Sequence, residues 1–109
     1  MSDTGEWVAL LAASALAEGE VVGTDHGDRK VALYRLTGAF YATSNLCTHA
    51  HALLSYGWVE GDRIRCPLHA ACFDIATGKA QGFPVTQDIA TYPVRVTEGI
   101  IEVLLPLSG

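Results

Sequence analysis

All three cysteines and three of the four histidines of this 109-residue chain fall between positions 47 and 72. Four of them form two pairs, Cys47-Thr48-His49 and Cys66-Pro67-Leu68-His69, with sixteen residues between His49 and Cys66. A thiolate and an imidazole this close in sequence can ligate a metal from one loop. A single such pair is more often a small buried thiol beside a surface imidazole. Two pairs, each between strand signals, argue for a metal site built from two loops. Two metals compete. A structural Cys2His2 zinc usually groups cysteine with cysteine and histidine with histidine, whereas each loop here supplies one of each. That mixed division suits a binuclear iron-sulfur site, with two cysteines on one iron and two histidines on the other. Cys72 lacks a histidine at ligand spacing and reads as a packed thiol, and His51 reads as a rim residue beside the ligand loop.

The elements that must hold these loops are short strands. Turn signals recur every eight to twelve residues between strand-favouring segments. Glu20–Thr24 can be extended before an Asp25–Asp28 turn, and Lys30–Leu36 alternates like a half-buried strand. Thr37-Gly38 then turns the chain into Ala39–Thr43. Glu60-Gly61-Asp62 joins Trp58-Val59 to Arg63–Arg65 in a hairpin, Cys72–Ile75 ends at Ala76-Thr77-Gly78, and Glu98-Gly99 joins Tyr92–Thr97 to Ile100–Leu105. Only Leu10–Ala17 has helix-forming composition. The expected class is all-β, an antiparallel sandwich or barrel of short strands in one domain, 1–109, with a loop-rich binding subdomain at about 45–84.

Composition narrows the partners. Seven basic against twelve acidic residues give a net charge of −5, so nucleic acid is not an expected partner. The acidic residues are spread along the chain, and Glu60 and Asp62, beside a ligand loop, are the ones expected to help dock a basic surface. No membrane partner is expected: the apolar stretch Trp7–Ala17 is too short for a span, and it follows Asp3 and Glu6 instead of the positive charge a secretion signal needs. A cytoplasmic monomer with reduced thiols is the expectation.

The two pairs resemble the Rieske motif C-x-H-x15–17-C-x-x-H. The likeness extends to Leu54, Gly57, Glu60-Gly61-Asp62, Phe73-Asp74, Thr77-Gly78 and Tyr92-Pro93-Val94. Over nearly its whole length the chain is similar to the small ferredoxins of bacterial aromatic-ring-hydroxylating dioxygenase systems. That resemblance implies one Rieske [2Fe-2S] cluster held by Cys47, His49, Cys66 and His69. It also implies an electron carrier, not an enzyme, between an NAD(P)H-dependent flavoprotein reductase and a terminal oxygenase, each docking transiently near His49 and His69. Small Rieske subunits of assimilatory nitrite reductases share the resemblance and stand as the alternative, with a structural zinc module behind them. Gln81-Gly82-Phe83-Pro84 resembles the loop that shields the cluster in this family.

Histidine ligation has an electrostatic reason. Two ferric ions, two sulfides and two thiolates sum to about zero, whereas four thiolates would leave about −2. Reducing a neutral core costs less than reducing an anion, so the potential lies above that of all-cysteine ferredoxins. Respiratory Rieske proteins add a disulfide between the ligand loops and hydroxyl donors to a cluster sulfur. Here Ala52 and Leu68 stand at the disulfide positions, and Ala71 and Phe73 at the hydroxyl positions. The expected potential is therefore at the low end of the Rieske range, on the order of −150 mV.

Overall fold

The computed structural model describes residues 5–47, 52–67, 71–81 and 87–106. Among these, ten strands form three antiparallel sheets. The first sheet orders β1 (Gly5–Ala12), β10 (Ile100–Pro106) and β9 (Val94–Thr97). The second orders β2 (Val21–His26), β3 (Arg29–Leu36), β4 (Ala39–Ser44) and β8 (Thr91–Tyr92). The third is β5 (Trp58–Glu60), β6 (Arg63–Arg65) and β7 (Cys72–Asp74). The all-β antiparallel expectation is met.

β3 organises the interior. Val31, Ala32, Leu33 and Tyr34 are all fully buried, so the centre of this strand has no solvent face. Val31 and Leu33 join Val8, Ile101, Val103 and Leu105 in a core shared with the first sheet. Ala32 and Tyr34 point the other way, into a second core with Cys47, Leu54, Ile64, Cys66, Phe73 and Ile89. Alternation along one strand thus feeds two cores. Tyr34 also carries a polar atom inward, and its hydroxyl bonds Thr43 Oγ1 at 2.8 Å. Burial pushes this phenol well above its ordinary pKa, so it stays protonated.

Three local expectations need correction. Leu10–Ala12 belongs to β1, and only Ala13–Ala15 forms a single 3-10 turn. Helix-favouring alanines and leucines yield there to pairing with β10, which runs from Gly5↔Pro106 to Ala12↔Ile100 with a bulge between Ala9 and Leu11. The Tyr92–Thr97 strand is divided at Pro93: Tyr92 pairs Ala42 in the second sheet, whereas Val94 pairs Val103 in the first. Proline has no N–H for a ladder, and its carbonyl accepts Leu104 N–H at 3.0 Å. Finally, β2 continues through Asp25 and His26, which pair Lys30 and Arg29, leaving Gly27 and Asp28 as the turn.

The β3–β4 turn holds an acid that composition alone would leave to solvent. Thr37 and Gly38 both take positive φ, 52° and 80°. Their amides converge on the Glu18 carboxylate; Gly38 N–H donates at 3.0 Å and Thr37 N–H also donates. These two amides, Gly38 first, hold the Glu18 carboxyl below the usual carboxylate range.

Candidate metal centre

Both candidate thiolates open a hairpin tip of the same size. Cys47 N–H donates to Ala52 C=O at 3.0 Å, and Cys66 N–H donates to Ala71 C=O at 2.7 Å. Each bond ties a cysteine to the residue five positions on, closing the base of a tip. The first tip is stemmed by an isolated antiparallel bridge, Leu46↔Leu53. The second is stemmed by the β6–β7 ladder, which ends at Arg65↔Cys72. His49 and His51 belong to the first tip in sequence and Leu68 and His69 to the second; all four lie outside the described residues. So does 82–86, which carries most of the expected shielding loop. Among the described residues no three candidate ligands converge.

The stems meet closely. Leu54–Tyr56 forms a 3-10 turn after the first tip, and Gly57 follows it. A side chain at Gly57 would place its Cβ 1.7 Å from the Arg65 carbonyl oxygen, so the first segment abuts the residue just before Cys66 with no room to spare. Cys47 and Cys66 are 6% and 0% exposed and lie in one buried cluster with Leu54, Ile64, Ala71 and Phe73. The expected substitutes for hydroxyl donors, Ala71 and Phe73, are thus part of the apolar wall beside Cys66. None of Cys47, Cys66 and Cys72 is in a disulfide. Two soft, buried sulfur donors at the heads of paired stems fit an iron-sulfur cluster.

Beside the second stem, Trp58, Arg65 and Cys72 stand in register across three strands. Trp58 Nε1 donates to Glu60 Oε2 at 2.8 Å, and Arg65 Nε donates to Glu60 Oε1 at 2.9 Å. The indole bond first, then the guanidinium, hold the Glu60 carboxyl below its ordinary range. Glu60 is therefore internally compensated, which leaves Asp62 as the less committed of the two acids expected at a docking face. Cys72 is buried, as expected of a packed thiol, and its carbonyl accepts Gln81 N–H at 2.8 Å.

The Rieske [2Fe-2S] domain model matches residues 6–93. The chain belongs to the Rieske family. Its relatives agree with its size. The ferredoxin component of the naphthalene 1,2-dioxygenase system of Pseudomonas putida is 46% identical over 105 residues, covering 96% of this chain and 99% of the relative. Sphingomonas yanoikuyae B1 ferredoxin superposes with a TM-score of 0.87 at 36% identity, over 93% of this chain and 100% of that one. A chain from the complex of reduced oxygenase and oxidized ferredoxin in carbazole 1,9a-dioxygenase superposes with a TM-score of 0.87 at 35% identity, covering 94% and 96%. Within this Rieske chain the sequence reading found both thiols and missed Asn45 and Ser55, which the fold brings together below the first tip. The one available signal is a polar residue two positions before a candidate ligand.

Proposed function

We propose that this Rieske chain is a ferredoxin that carries one electron at a time from an NAD(P)H-dependent flavoprotein reductase to the terminal oxygenase of an aromatic-ring-hydroxylating dioxygenase system. Cys47 and Cys66 hold one iron, and His49 and His69 the other, of a single [2Fe-2S] cluster within one domain spanning 1–109. The cluster supplies a one-electron redox centre; the protein supplies its burial, its two tips and a docking face near His49 and His69. The carrier works as a cytoplasmic monomer. What supports this reading is the end-to-end similarity to ferredoxin components, joined to two buried cysteines whose N–H groups each bond the carbonyl five residues on.

A carrier must bind and release on each turnover, so docking is small, transient and sensitive to salt. Reconstitution tests this. With the reductase and oxygenase of a naphthalene 1,2-dioxygenase system, NADH-driven product formation requires the holoprotein, saturates with it and weakens as salt rises. A holoprotein that the reductase reduces but that never supports turnover overturns the assignment. So does a colourless protein holding one zinc. Co-purification with a large partner at high salt would favour the nitrite reductase subunit instead.

A further inference from the structure

The buried polar residues among those described are Thr43 and Asn45, at 0% and 3% exposure. Thr43 serves its own sheet, bonding the Tyr34 hydroxyl and donating to the Ser44 carbonyl. Asn45 reaches elsewhere. Its Oδ1 accepts Ser55 N–H at 2.8 Å and its Nδ2 donates to Ser55 Oγ at 3.0 Å. Its backbone N–H donates to the Lys30 carbonyl at 2.9 Å, and its carbonyl accepts Leu54 N–H at 2.8 Å. Such a residue is costly to bury unless its bonds are made, and here they span the stem of the first tip.

The two stems differ in what closes them. The second has a three-residue ladder, Arg63–Arg65 against Cys72–Asp74. The first has the single bridge Leu46↔Leu53, and directly below it the two bonds between the Asn45 and Ser55 groups. There a side-chain clamp reinforces the single backbone bond from Leu54 N–H to the Asn45 carbonyl, where the other stem has a full ladder. β2 makes space for it: a Cβ on Gly23 would lie 2.6 Å from Ser55 Oγ and 2.8 Å from Asn45 Nδ2. The clamp is also linked to the second stem. Two residues past Ser55, Gly57 abuts the Arg65 carbonyl, one residue before Cys66. A short path of bonds and contacts therefore runs from the Cys47 stem to the Cys66 stem.

We propose that Asn45 is a positioning residue for the cluster: by clamping Ser55 it fixes how the two stems headed by Cys47 and Cys66 sit against each other. The inference rests on those thiols being cluster ligands. Groups that orient ligands without touching the metal set its electronic structure and retention.

The test uses holoprotein and reads the cluster directly. In Asn45→Ala the g values of the reduced cluster shift beyond their linewidths in electron paramagnetic resonance, the visible circular dichroism changes, and chelator competition gives an iron affinity lower by roughly tenfold. Ser55→Ala, which keeps the bond from Ser55 N–H, shifts them in the same direction by less. Gly23→Ala, which presses on the clamp from β2, shifts them with Asn45 intact. Val103→Ala, in the other core, lowers Tm and leaves the spectra unchanged. Should Asn45→Ala fail to assemble, Ser55→Ala and Gly23→Ala decide. Unaltered g values and iron affinity in both, or an equal spectral change in Val103→Ala, overturn the proposal. A wild-type protein that binds no iron overturns the ligand assignment instead.

Discussion

Gly78 and Gly61 separate two reasons for glycine and give a quantitative test of the packing below the metal centre. Both have positive φ, 78° and 63°. Around Gly61 a new Cβ would meet nothing within 4 Å, whereas at Gly78 it would lie 2.2 Å from the Ile89 carbonyl oxygen and 3.0 Å from Thr91 Cγ2. Gly61→Ala therefore incurs only the left-handed backbone penalty, about 1 kcal/mol. Gly78→Ala incurs the same penalty plus an overlap of roughly 1 Å against backbone, and overpacking of this kind adds about 1–3 kcal/mol. The expected total at Gly78 is about 3 kcal/mol. Relief by moving Ile89 is opposed by its own bond, since Ile89 N–H donates to the Gly78 carbonyl at 2.9 Å. Ile89 also packs in the core that contains Cys47 and Cys66, so strain there loosens the wall around the thiols. Urea unfolding by far-ultraviolet circular dichroism measures the two costs, and visible bleaching in the same titration falls at the same midpoint. Equal costs for the two variants, or a Gly78→Ala protein within about 0.5 kcal/mol of wild type, would refute the reasoning.

The thiols divide by role: Cys47→Ser or Cys66→Ser abolishes the red-brown chromophore, whereas Cys72→Ser keeps the full iron content by metal analysis. Acid lability follows from Glu18 and Glu60, whose carboxyls are held below their ordinary range by the Gly38 and Thr37 amides and by Trp58 and Arg65. A depressed folded pKa stabilises above the unfolded value, about 4.3, and that contribution is lost as pH falls through the folded value. Urea midpoints thus fall below about pH 4, and less steeply in Glu18→Gln; an unchanged slope there counts against the amide nest. Redox titration gives a potential on the order of −150 mV that falls with pH in alkaline solution, because iron makes the N–H of a bound imidazole more acidic. A clearly positive or pH-independent potential contradicts this.

The parts legible in sequence are those fixed by local pattern. Lys30–Leu36 appears as β3 with one residue added at its start, but its centre is buried on both faces instead of alternating like a half-buried strand, because a core lies on either side of it. Cys47 and Cys66 stand out through spacing alone, whereas the matching bonds from each N–H to the carbonyl five residues on are visible only in the fold. β1 was not legible, since Leu10–Ala12 has helical propensity and only pairing with β10 makes it a strand. The division at Pro93 depends on which sheet each neighbour joins, a tertiary fact. Asn45 and Ser55 lie ten residues apart with no shared motif, so their contact follows from the tip between them folding back. Glu60 reads in sequence as an acid available for docking because Arg65 and Trp58 reach it only through the hairpin.

β3 leaves one last consequence. With Val31 and Leu33 committed to one interior and Ala32 and Tyr34 to the other, slipping its register by a single residue would exchange the contents of both halves at once. Neither half can melt while its neighbour survives, because each would strip the strand that the other is built upon. Loss of colour and loss of β-structure should accordingly track one another through a heating ramp, making bleaching of the iron chromophore a direct optical gauge of global unfolding.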